Sequence, residues 1–123
     1  MTQKIFNLTQ HVATPDQIAD GVVELTPEIK KEIQALLTIE ELPTREELTI
    51  RAIKLREIAR VSGCSMVMIG GAPFLMGALE HELRGACRMP VYSFSKREVV
   101  EQAQADETVK KVAVFKHTGW VKA

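Results

Sequence analysis

Ser65-Met-Val-Met-Ile-Gly-Gly-Ala-Pro-Phe-Leu-Met-Gly-Ala-Leu79 decides the fold class. Residues 65–69 form a short, nearly continuous apolar run with Val and Ile, the pattern of a buried strand. Gly70-Gly71 allows a sharp turn free of any Cβ constraint. Pro73 stands where a helix takes a proline, in its first turn. Leu75, Met76, Leu79 and Leu83 follow at helical spacing. Strand, glycine turn and helix together place bare N–H groups at a helix N-terminus, which suits phosphate or another anion. The lysine of a P-loop and the third glycine of a dinucleotide fingerprint are both missing, so the ligand is not identified. A tight βα turn that only packs is the competing reading.

Towards the N-terminus, residues 4–8 (Lys-Ile-Phe-Asn-Leu) read as a first strand leading into Thr9-Gln10-His11. Thr14-Pro15 and Thr26-Pro27 each pair an N-cap with a proline at the first helical position. Gly21 stops the first of these helices, and residues 22–25 fit a brief strand or an extended connector. Ile29, Ile33, Leu36 and Leu37 mark one face of the second. After Leu42-Pro43, Thr44 and Glu47 have the spacing of a capping box. Leu48, Ala52, Leu55 and Ala59, flanked by Ile53 and Ile58, form an apolar stripe that ends at Gly63. The opposite face, with Arg45, Glu46, Arg51, Lys54 and Glu57, reads as solvated. Towards the C-terminus, residues 90–95 (Pro-Val-Tyr-Ser-Phe-Ser) alternate as a strand does. Residues 97–104 and 109–117 read as an antiparallel hairpin around Asp106-Glu107, with a helix as the alternative for 97–104.

Strands separated by helices predict an α/β fold: a small Rossmann-like, parallel-centred sheet flanked by helices, with a C-terminal β-hairpin. There are no repeats and no boundary, so residues 1–123 read as a single domain. Ligands of such sheets bind outside the carboxyl ends of the strands. Three polar groups fall there: Thr9-Gln10-His11, Gly70-Gly71, and Ser93-Phe-Ser95-Lys96-Arg97. Their convergence says more than any one of them.

Composition narrows the functional classes. Sixteen basic and sixteen acidic side chains balance, so no global basic field argues for long nucleic acid. Cys64 and Cys87 lack CxxC spacing, and no Cys/His cluster suggests a metal or any other cofactor. The N-terminal Met-Thr-Gln-Lys-Ile-Phe lacks the apolar core of a leader, and no run reaches membrane-spanning length. A cytoplasmic protein with reduced thiols and no membrane partner is the expectation. The absence of HxxxH pairs and acidic clusters argues against a metal hydrolase. The absence of GxSxG argues against a serine hydrolase.

Four stretches resemble the small CRISPR-associated Rossmann-like proteins of type III systems, which are grouped with ring nucleases and related to cyclic-oligoadenylate-sensing domains. They are Leu8-Thr9-Gln10-His11 with Thr14-Pro15-Asp16-Gln17; the strand, turn and helix of Met66 to Leu79; Pro90-Val-Tyr-Ser-Phe-Ser-Lys-Arg-Glu98; and Val114-Phe-Lys-His117. Order and spacing agree over nearly the whole chain. The middle region, 36–48, is less aromatic than the family's, and Thr118-Gly-Trp120 replaces a more basic ending.

The resemblance implies a cytoplasmic homodimer that binds a cyclic oligoadenylate and linearises it, switching off type III CRISPR signalling in antiviral defence. The ribose 2′-OH would attack the neighbouring phosphate without a metal. Lys96 or Arg97 would stabilise the transition state and His11 would move protons. Thr9, Gln10, Gly70, Gly71, Ser93, Ser95 and His117 would bind the ligand. A plain structural role stands beside each: His11 capping a turn, Lys96 and Arg97 solvated near Glu98, His117 serving the fold. Two other functions stay open, a sensor or sponge that binds the nucleotide without cutting it and an interaction protein with no nucleotide ligand. His81, between Glu80 and Glu82, is expected at the surface. Trp120 is expected over the core, and Met66, Met68 and Met76 within it.

Overall fold

Three threonines set the first three helices. In the computed structural model, which describes residues 3–123, Thr14 opens α1 (Pro15–Ala19), Thr26 opens α2 (Pro27–Leu37) and Thr44 opens α3 (Arg45–Ser62). Met1 and Thr2, part of the stretch read above for a leader, lie outside the described residues. Each threonine hydroxyl accepts the N–H three residues on, satisfying one of the donors a helix start leaves open. The reciprocal capping box forms at Thr14 and Gln17, where the expectation placed one at Thr44 and Glu47. Glu47 instead turns along its helix to Arg51, at 3.1 Å. Gly63 ends α3 at φ 77°, a left-handed conformation that favours glycine.

The strands are β1 (Ile5–Leu8), β2 (Met66–Ile69), β3 (Met89–Ala103) and β4 (Val109–Lys122), with α4 (Pro73–Gly85) between β2 and β3. The sheet order is β1-β2-β3-β4. The first three strands are parallel and β4 returns antiparallel to β3. The fold is therefore the expected α/β class, a mostly parallel sheet flanked by helices with a C-terminal antiparallel pair.

Both parallel crossovers step in the same direction, so α2, α3 and α4 share one face of the sheet. Phe6, Leu8, Val67 and Ile69 meet Ile33, Leu55, Ala59, Leu75, Leu79 and Leu83 there in the main core. Each fully buried leucine contributes about 2 kcal/mol of transfer free energy. The other face is thinner. Ile5, Met68 and Val91 pack beneath Val22, Ala13 and Trp120. The segment that carries α1 crosses that face and closes with a single bridge, Val22 beside Ile5. Met68 and Met76 are buried in the core, as expected, while Met66 is only partly buried and packs against it.

Arg51 corrects the view of α3's charged face. Its guanidinium donates to the carbonyls of Ala35, Leu36 and Thr38 at 3.2, 2.7 and 3.0 Å, closing the C-terminus of α2. Arg56 reaches Glu82 at 2.6 Å and ties α3 to α4.

The chain after Tyr92 also differs from expectation. The stretches read as 90–95 and 97–104 belong to one continuous strand that ends at Ala103, with no helix at 97–104. The return strand runs on to Lys122 rather than ending near 117. β2 accompanies β3 only as far as Val91. Beyond that point β3 and β4 form a two-stranded ribbon that leaves the sheet.

Candidate functional site

At the carboxyl ends of the three parallel strands lies a cleft of about 470 Å³. Its walls are the 9–17 segment, the glycine turn after β2, and Tyr92 and Ser93 of β3. The strand order has no reversal among its parallel members, so this is not a crevice between helices of opposite faces. The segment leading into α1 supplies the wall that a second helix would otherwise give.

Asn7 shapes the first wall. It is buried, and its side chain accepts the Thr9 N–H (2.9 Å) and hydroxyl (2.7 Å) while donating to the His11 carbonyl (3.0 Å). Thr9 is thereby committed to its own turn. Gln10 donates to the Thr38 hydroxyl at 3.1 Å and fastens the turn to the end of α2. The His11 side chain stays exposed between this cleft and a smaller one, about 240 Å³, beside β1. Gly71 has φ 156°, a backbone that side-chain-bearing residues rarely adopt. Ala72 then opens α4 without any side-chain cap; Pro73 carries no N–H, and the Leu75 and Met76 N–H groups both donate to the Ala72 carbonyl at 3.0 Å.

Tyr92 closes the floor. Its hydroxyl donates to Glu80 Oε2 at 3.2 Å. Burial, reinforced by the Glu80 carboxylate, pushes the phenol up to about 12.

Ser93 sits deeper and is held from two sides. Gln17 Nε2 donates to its Oγ at 3.1 Å, and the same Oγ lies 2.6 Å from His117 Nδ1. His117 is buried, its Nε2 lies 2.9 Å from Asp20 Oδ2, and its ring lies 4.5 Å from that of Trp120. A β-bulge makes this possible. Residues 117 and 120 would face opposite sides of a regular strand. The register shift beside Phe94 and Ser95 leaves Thr118 as the extra residue and pairs His117 with Ser95. His117 and Trp120 therefore share the face on which Ser93 lies.

Six of the expected site residues thus line one cleft: Thr9, Gln10, His11, Gly70, Gly71 and Ser93. His117 stands behind Ser93 rather than on the wall. Ser95, Lys96 and Arg97 are not in the cleft. They were expected at a strand end, but β3 continues through them and they are exposed on the ribbon. At about 3.3 Å per residue, Lys96 and Arg97 lie roughly 10–13 Å along the strand beyond Ser93. Asn7, Gln17, Asp20 and Tyr92 were missed. Asn7, a polar residue inside an apolar strand, was the one with a visible signal.

Fold and cleft define an α/β protein with a polar site at its strand ends. A family profile described as Uncharacterized protein MJ1673 family matches residues 3–121, and the chain belongs to that family. No curated protein and no solved structure matches it. Among the described residues, no helix is long and apolar enough to cross a membrane.

Proposed function

We propose that the strand-end cleft binds a cyclic oligoadenylate and linearises it by attack of a ribose 2′-OH on the adjoining phosphate. One observation carries this reading: polar groups from three separate strand ends, the Gly70-Gly71 turn among them, line a single cleft. The resemblance of the four sequence stretches supplies the ligand class. A phosphate would take main-chain N–H groups of the Gly70-Gly71 turn, which lines the cleft. His11, exposed at the mouth, would handle protons. No lysine or arginine lines the cleft, so Lys96 and Arg97 would act from the ribbon, drawing the anion in by charge.

A two-fold ring fits a two-fold pair of protomers, and such a dimer would set two clefts face to face. The reading places the protein in the cytoplasm, with a small cyclic RNA as ligand, and makes it a metal-independent ring nuclease.

The test is incubation of pure protein with cyclic tri-, tetra- and hexa-adenylate in EDTA, following binding and products by chromatography and mass. One ring converted to linear products with 2′,3′-cyclic phosphate ends is the expected outcome. Tight binding of an intact ring would make the protein a sponge or sensor. Neither binding nor conversion of any ring would sink the nucleotide reading.

A further inference from the structure

Gln17, Ser93, His117 and Asp20 form a hydrogen-bonded chain with one direction. Gln17 Nε2 is a donor only, so Ser93 Oγ accepts from it and keeps its own proton free. That proton is available to His117 Nδ1 at 2.6 Å. With Nδ1 accepting, the ring proton sits on Nε2 and is donated to Asp20 Oδ2 at 2.9 Å. This is the serine–base–carboxylate arrangement that activates a hydroxyl, with the two imidazole nitrogens in exchanged roles. The base is buried and fixed by the Trp120 ring, whereas the serine lines the cleft. The Gly70-Gly71 turn lines the same cleft. Met68, Ile69 and Val12 give it an apolar side. The sequence lacks GxSxG because the three residues come from the end of α1, from β3 and from a bulged β4.

We infer that Ser93 is an activated nucleophile and that the cleft hydrolyses small carboxylic esters by an acyl-serine route. Ser93 Oγ bonds to the ester carbonyl carbon while its proton passes to His117 Nδ1. The carbonyl oxygen takes the negative charge, held by main-chain N–H groups of the Gly70-Gly71 turn. The bond from carbon to the leaving oxygen breaks, and the Nδ1 proton goes to that oxygen to release an alcohol. Water then gives a proton to His117 and bonds to the acyl carbon. Ser93 Oγ departs and recovers its proton, so ester and water become acid and alcohol. His117 touches the reacting oxygen. Asp20 and Gln17 are positioning residues. The nucleophile of ring linearisation belongs to the substrate, so either activity can fail without the other.

The experiment treats the folded protein with a fluorophosphonate probe, maps any adduct by mass, and measures p-nitrophenyl acetate and butyrate hydrolysis. We expect one adduct on Ser93, none in Ser93→Ala, and labelling slowed by about 100-fold in His117→Asn. Asp20→Asn, altered at a half-exposed carboxylate, should slow labelling by about 10-fold while melting near the wild-type temperature. It keeps the test open if the buried His117 variant fails to fold. The inference is overturned by the absence of an adduct on folded wild-type protein, by an adduct elsewhere, or by undiminished ester hydrolysis in Ser93→Ala. It is equally overturned if His117→Asn and Asp20→Asn lower the melting temperature but leave labelling unchanged, since the chain would then only fasten α1 to β4.

Discussion

In the body, Leu55 of α3, Leu79 of α4 and Val67 and Val91 of the sheet have no exposed surface, whereas in the ribbon Val99 is 63% and Phe115 73% exposed. The residue types are alike; the difference is the third layer. β2 stops at Ile69, and neither α4 nor α1 follows β3 past the cleft, so the ribbon's valines have only each other. Apolar alternation in this chain specifies a strand without specifying a core. A two-stranded ribbon is marginal by itself, and this one draws its order from continuity with the sheet.

The largest expected break of that contrast is Leu55→Ala. Leu55 is fully buried between α3 and the sheet, and its truncation should cost about 3 kcal/mol in chemical denaturation. Arg51→Met comes next. It removes the closure of α2's carbonyls and should cost about 1.5 kcal/mol. Val99→Ala on the ribbon should stay within about 0.5 kcal/mol by the same measurement. A loss comparable to that of Leu55→Ala would mean the ribbon is packed in solution against something else.

Acid and alkali probe the two regions separately. At the ribbon tip, the Thr108 hydroxyl and N–H hold the Asp106 carboxyl below its ordinary 3.8. That turn is stabilised above the unfolded value and loosens as pH falls through the folded one, which amide exchange at residues 104–108 should register. In the body, the lone tyrosine, Tyr92, is raised to about 12. Its contribution is complete below about 10 and is lost as pH rises towards 12. Phenolate absorbance should appear with a midpoint near 12. Glu80→Gln should lower it only in part, because burial is the larger cause. A midpoint near 10 in the wild type would mean that the floor of the cleft is open to water.

Most of the body was legible in the sequence because local rules and packing agree there. Threonine caps, Pro73, Gly63 and the stripe on α3 each place an element that the core then accepts. The cleft was half legible. Strand-end polar residues can be read from a pattern, and Thr9, Gln10, His11, Gly70, Gly71 and Ser93 do meet. Where the strand ends is another matter. Ser95, Lys96 and Arg97 were placed by assuming that β3 stops, and nothing local says that it continues. Asp20 and His117 were harder still. They lie 97 residues apart, and their meeting depends on a one-residue bulge at Thr118. Arg51 looked solvated because its partners are main-chain carbonyls, which no side-chain pattern reveals.

β4 is the last strand of the sheet, so its outer edge offers unpaired main-chain groups to any passing strand. Lys110, Lys111, Lys116 and Lys122 stand along it. Were two copies to pair antiparallel about Ala113, Lys110 of each would face Lys116 of the other, an arrangement that like charges oppose. Light scattering should therefore show no edge-driven growth at low salt and some near 1 M, where screening shortens to about 3 Å. The lysines act in this respect as a solubility device, guarding a surface that the fold itself leaves adhesive.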